Sequence, residues 1–180
     1  MMLNIGQPPG HSFDQPLGLL SDCHRRIEHF LDVLVKLERL TSGHSLTVAQ
    51  QRQVEGALRY FDNAAPRHTA DEEESLFPRL RASNDTAAAR ALNVLNALER
   101  DHELADAHYR TVERLWRRRM TLGGLVESET RELRDHLGIL QAIYRGHIAV
   151  EDRELFPLAA RLLSPVDLRD IGREMAARRR

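Results

Sequence analysis

Cysteine occurs once, as Cys23, so the chain can form no internal disulfide and carries no Cys-x-x-Cys metal or redox motif. Aromatic residues are scarce at 5%, and no run shows the alternation of β-branched and polar residues that a half-buried strand needs. The net charge of −1 is too small for a general attraction to nucleic acid or an anionic membrane surface. No stretch approaches the roughly 18 consecutive apolar residues that span a bilayer. Met1 to Gly10 show no basic segment leading into an apolar run, so no signal peptide is expected. These absences predict a cytoplasmic protein without a nucleic-acid or membrane partner.

What is present favours helix. Leu, Ala, Arg and Glu dominate, and 180 residues with 42% apolar and 29% charged side chains suit one domain with a sizeable core. Residues 1–16 hold Gly6, Pro8, Pro9, Gly10 and Pro16 and read as an irregular arm, leaving residues 17–180 for the folded domain. Four long segments with helical period follow, over about 17–40, 47–81, 86–120 and 128–163. Thr41-Ser42-Gly43 and Gly123-Gly124 read as stops, and Pro66 predicts a kink or an early end to the second segment. Ser164 and Pro165 read as the N-cap and first residue of a short last helix. Short connections predict an all-α, antiparallel, up-down-up-down four-helix bundle with an additional short C-terminal helix. The basic runs Arg117–Arg119 and Arg178–Arg180 sit at the ends of helical segments, where positive charge complements the helix dipole.

One internal repeat carries the chemistry. His68-Thr-Ala-Asp-Glu72-Glu-Glu-Ser-Leu-Phe-Pro78 aligns with His147-Ile-Ala-Val-Glu151-Asp-Arg-Glu-Leu-Phe-Pro157. A helical hairpin present twice accounts for this, with the two copies facing each other across a pseudo-two-fold axis. In each copy His and Glu are four residues apart, about 40° and 6 Å on a helix, so both leave the same face. That face continues the apolar rows Val54, Leu58, Phe61, Ala65 and Leu140, Tyr144, Leu155. The other two long helices each place one histidine on their seam, His24 between Leu20 and Ile27, and His102 after Leu98.

A buried, unpaired carboxylate costs several kcal/mol even after relaxation, and a ligated cation offsets that cost. Four inward imidazoles and two carboxylates form a set for two metal ions, each taking two histidines with both glutamates bridging. Such donors suit iron or manganese, with zinc also allowed. Cys23 points about 100° away from His24, so thiolate ligation is not expected.

The two His-x-x-x-Glu-[Glu/Asp]-x-x-Leu-Phe-Pro signatures, with the isolated histidines on the first and third helices, resemble the hemerythrin-like, or HHE cation-binding, family over about residues 17–163. The resemblance implies that His24 and His68 bind one iron and His102 and His147 the other. Glu72 and Glu151 would bridge them alongside an oxo or hydroxo group. It implies a non-haem di-iron protein that binds or reacts with dioxygen, peroxide or nitric oxide. The alternatives are an iron- or oxygen-responsive regulatory bundle without turnover, and a peroxide-decomposing enzyme. Its expected partner is that small-molecule ligand, in a monomer or homodimer.

The sequence departs from the oxygen-carrying hemerythrins twice. Those bridge from an aspartate five residues after the last ligand histidine, a slot that Asp152 fills here; Glu151 matches the repeat better, and Asp152 is the fallback. They also carry a further histidine four residues after the one corresponding to His102, where this chain has Asp106. Asp106 is expected as a seventh ligand, as a hydrogen-bond partner of the ligands, or as a solvent-exposed residue. His29 falls about 140° off the seam and His136 about 16 Å along the helix from His147, so neither is expected in the site. His11 and His44 fall in the arm and a loop. Tyr109 and Tyr144 lie on core faces near the proposed ligands, as packing residues or as hydrogen-bond donors to a bound oxygen species.

Overall fold

The computed structural model describes residues 10–83 and 85–180, with the side chains of 87–90 excepted; most of the expected N-terminal arm, residues 1–9, lies outside the described residues. Helix α1 (Pro16–Thr41) opens with a proline in its first turn, where the missing N–H is not needed. It closes through Ser42 and Gly43 in left-handed conformations. Helix α2 (Val48–Asp71) starts with a reciprocal cap: the Gln50 N–H donates to Thr47 Oγ1, and the Thr47 N–H donates to Gln50 Oε1. It runs through Pro66 to Asp71, so that proline does not end the helix.

A π turn (Glu72–Leu76) then leads into α3 (Phe77–Ala82). Helix α4 (Thr86–Leu122) returns along the bundle and α5 (Glu127–Val150) runs back. A second π turn (Glu151–Leu155) leads into α6 (Phe156–Leu162), and α7 (Pro165–Ala177) closes the fold behind a Ser164–Asp167 cap. No strand occurs among the described residues.

The two π turns were not anticipated from the helical period, yet the repeat contains their cause. Pro78 and Pro157 have no N–H to donate, and in a regular helix each ring would press on the carbonyl four residues earlier. The wider turn relieves that pressure, with Phe77 N–H donating to Glu72 O and Phe156 N–H to Glu151 O, five residues back. The inserted residue lets Leu76 and Phe77 both face inward, each with no exposed surface.

Helix α1 packs beside α2 and α5, and α4 beside α5 and α2, which gives the expected up-down-up-down arrangement. Arg134 pairs with Glu38 across α1 and α5, and Arg114 with Glu132 across α4 and α5, in antiparallel register. The apolar core falls into two clusters. One gathers Ile27, Leu58, Phe61, Val112, Trp116 and Leu140 toward the end where the α1–α2 and α4–α5 connections lie. The other gathers Leu20, Leu76, Phe77, Leu98, Leu155 and Phe156 toward the opposite end, where Ile171 and Met175 of α7 join it. The histidines and glutamates of the repeat lie between them.

Members of both basic runs also have specific partners. Arg178 and Arg179 donate to the fully buried Asp71 at 3.1 and 2.6 Å, which ties the end of α7 to the residue before the first π turn. Phe13 lies under the Arg179 guanidinium, and a Cβ at Gly172 would collide with the Phe13 carbonyl, so arm and α7 are in close contact. Arg118 forms an ion pair with Glu129 at 2.7 Å. Arg119 is buried, stacks on Trp116 at 5.0 Å and donates twice to the His44 carbonyl, at 3.0 and 2.6 Å.

Truncating Arg119 leaves the His44 carbonyl without its donor and opens a gap beside Trp116. Arg119→Ala is therefore expected to lower unfolding free energy by about 3 kcal/mol in urea titrations. Arg118→Ala, at a largely solvated pair, should cost under about 1 kcal/mol.

Candidate metal centre

Glu72 and Glu151 stand at the head of the two π turns, in the middle of the bundle, with no exposed surface. Around them the four seam histidines present Nε2 inward. His24 Nε2 lies 3.0 Å from Glu151 and 3.8 Å from Glu72. His68 Nε2 is 3.2 Å from Glu72, and His147 Nε2 is 3.1 Å from Glu151. His102 Nε2 lies 3.3 Å from Glu72 and 3.1 Å from His147 Nε2.

Two groups of four donors emerge, each with its atoms within 4.8 Å of one another: His24, His68, Glu72 and Glu151; and His102, His147, Glu72 and Glu151. Both glutamates belong to both groups. All four glutamate oxygens and His24 Nε2 are buried without a hydrogen-bond partner despite these short separations. Such lone pairs do not satisfy one another; they converge on shared points, and a cation there would satisfy them. The donor set fits metal ions.

The outward nitrogens are held by a second ring of carboxylates. His24 Nδ1 donates to Asp152 Oδ1 at 3.0 Å, and Ser21 Oγ donates to the same oxygen at 2.7 Å. His102 Nδ1 donates to Glu73 Oε1 at 2.7 Å. Asp101 lies 3.5 Å from His147 Nδ1, while His68 Nδ1 is buried without a partner. A carboxylate on Nδ1–H fixes the tautomer that leaves Nε2 free to ligate, and makes it more basic. Glu73 and Asp152 are equivalent in the repeat, and each holds the histidine of the opposite hairpin, so the two hairpins brace one another. The acidic residue after each glutamate was the sequence signal for this pair.

Asp152 thus lies on the outer side of His24, and Glu151 is the carboxylate within the donor groups. Asp106 is in neither group: its half-exposed carboxylate pairs with Arg110 at 2.6 Å. Cys23 also stands apart, its buried thiol pushed to higher pKa by desolvation. His108 and His136 face each other across α4 and α5, Nδ1 to Nδ1 at 2.9 Å, away from the centre. Tyr109 spends its hydroxyl on Asp62 Oδ1 (2.6 Å) and the Leu58 carbonyl (3.1 Å).

Electrostatics separate the imidazoles. Burial alone would favour neutral His24, but Asp152, Glu151 and Glu72 outweigh it and push its pKa up to about 12. The same contest at His102, between burial and the carboxylates of Glu72 and Glu73, ends at about 9. His68 is governed by burial and falls to about 4, which keeps it neutral. Glu72 is held well below the usual carboxylate range, because the surrounding histidines outweigh its burial.

The hemerythrin HHE cation binding domain matches residues 15–159 of this chain, a span that ends before α7. An uncharacterized protein of Haemophilus influenzae is similar, 29% identical over 170 residues that cover 93% of this chain and 92% of that protein.

The carboxylates that raise the pKa of His24 and His102 favour protons on these two imidazoles, and a cation would compete with those protons. Titration with manganese(II) in buffers of different ionisation enthalpy should register release of about two protons per chain. Because deprotonation favours ligation, affinity at each step should rise about tenfold per pH unit between about pH 6 and 8. A flat pH profile would mean that the imidazoles are already neutral.

Proposed function

This chain belongs to the hemerythrin HHE cation-binding family, and we propose that its core holds two non-haem iron ions that bind or react with dioxygen, peroxide or nitric oxide. The observation that carries this reading is the pair of fully buried glutamates whose oxygens lack hydrogen-bond partners amid four inward imidazoles. In this reading His24 and His68 hold one ion and His102 and His147 the other. Glu72 and Glu151 serve both, as their membership of both donor groups supports. Mixed nitrogen and oxygen donors without thiolate favour iron, with manganese and zinc the nearest competitors.

When bound, the ion pair supplies electrons and open coordination positions for a small ligand. The chain supplies the rest. Asp152 and Glu73 orient His24 and His102 through Nδ1, so that neither ring needs to reorganise on ligation. The pressure of burial keeps His68 neutral and ready to ligate. Phe156 stacks on His24 at 5.4 Å and Phe77 on His102 at 6.5 Å, which screens the rings from water on the α7 side. On the other side Ile27, from the apolar cluster nearer the α1–α2 connection, lines the crevice among the histidines.

Protein purified from iron-supplied cells is expected to contain two irons per chain and to show near-ultraviolet oxo-to-iron absorption. His68→Ala and Glu151→Ala should each lower the iron content to one or none while the far-ultraviolet circular dichroism stays helical. Retention of two irons in both variants would refute the ligand assignment. Exposure of the reduced protein to oxygen, and separately to peroxide, would then register reversible binding or net consumption.

A further inference from the structure

One pair of histidines stands apart from the centre. His108 of α4 and His136 of α5 bring Nδ1 to 2.9 Å from Nδ1, with ring centroids 4.9 Å apart and planes inclined at 56°. His108 lies about 9 Å along α4 from His102 and about 240° round the helix, and His136 about 16 Å along α5 from His147. The pair is therefore displaced toward the α4–α5 connection, and neither residue is in either donor group. Both are half-buried, so each keeps some surface open to water.

The two helices hold this approach in place. Val112 and Leu140, four residues beyond the respective histidines, are buried in the apolar core. Arg114 pairs with Glu132 at 2.7 Å across the same interface. The helices cannot part here without exposing that core, so the two nitrogens are placed before any ion arrives. Among the described residues no carboxylate pairs with either ring, and the mutual contact is the one polar contact each makes. Two neutral imidazoles at this distance share one proton, Nδ1–H of one donating to Nδ1 of the other. Loss of that proton to water, with uptake of another at Nε2, frees both Nδ1 lone pairs without a change in charge.

The spacing also selects the ion. Bonds of about 2.0–2.1 Å to one ion from nitrogens 2.9 Å apart subtend about 90°. That angle separates neighbouring positions of a square-planar or tetragonal ion and is tighter than the tetrahedral angle of zinc. Imidazoles without a carboxylate also select against magnesium, calcium and manganese. We propose that His108 and His136 form a second metal site, a two-imidazole chelate for a tetragonal divalent ion, copper(II) foremost and nickel(II) next. Water completes the coordination from the exposed side. The ion ties α4 to α5, the helices that carry His102 and His147, and the site is independent of which ions fill the centre.

Copper(II) is the probe, titrated by calorimetry into the protein as purified, with iron content measured before and after. The unaltered protein should take up one copper per chain whose electron paramagnetic resonance spectrum shows splitting from two nitrogens. His108→Gln and His136→Gln each remove one donor and should weaken that copper about a hundredfold at unchanged iron content. His29→Gln, at an exposed histidine of α1, should leave it unchanged. Saturating copper should raise the melting temperature of the unaltered protein and of His29→Gln but of neither pair variant, because the ion binds the folded α4–α5 interface. Should the centre itself take copper, the pair variants still lose one copper per chain relative to the unaltered protein. Copper held equally well by the unaltered protein and both pair variants would overturn the proposal, as would zinc(II) binding there more tightly than copper(II). Should one pair variant fail to fold, as judged by circular dichroism, the other still decides.

Discussion

Two carboxylates with no exposed surface, at the centre of a helical bundle and without hydrogen-bond donors, are the constraint around which the fold is arranged. Left alone they would oppose folding by several kcal/mol each. Every seam histidine is directed at them, and the apolar core divides into two clusters that leave the polar layer between. The repeat places each glutamate at a π turn, where proline and phenylalanine five to six residues later oblige the backbone to widen. The local distortion and the central charge therefore have one origin in the sequence. A cation-binding family membership and a converging donor set are consistent consequences of it.

The second organising feature is reciprocity. Glu73 of the first hairpin holds His102 of the second, and Asp152 of the second holds His24 of the first. Each hairpin thereby completes the other's half of the centre, and neither could present a full donor group alone. The symmetry is broken at two places. Asp101 approaches His147 Nδ1 at 3.5 Å, whereas His68 Nδ1 is unpartnered. A cavity of about 220 Å³ adjoins His102, and the α7 side is covered by stacked phenylalanines.

Helix α7 lies beyond the span matched by the family, yet it bears on the centre. Arg178 and Arg179 neutralise Asp71, the buried neighbour of Glu72, and Arg79 pairs with Glu174 at 2.7 Å from below the same turn. The first π turn is thus held from outside by α7 as well as from inside by its own hydrogen bonds. Phe13 from the arm packs on Arg179, so both ends of the described chain converge on this end of the bundle.

The helical class, the bundle topology and the six inward residues were legible in the sequence, because helical period and a 79-residue repeat leave few ways to bury the same faces. The spacing of His68 to Glu72 and of His147 to Glu151 fixes which way they point within one helix, whatever its neighbours. What lies between helices was not legible. That Asp152 holds His24 from its outer side, that Asp106 turns to Arg110, and that His108 meets His136 are decided by the register of one helix against another. The π turns belong between these cases: their prolines are visible, but the extra residue emerges only when Leu76 and Phe77 must both find room in the core. Local periodicity determines a direction for each side chain, and only tertiary packing determines what it meets there.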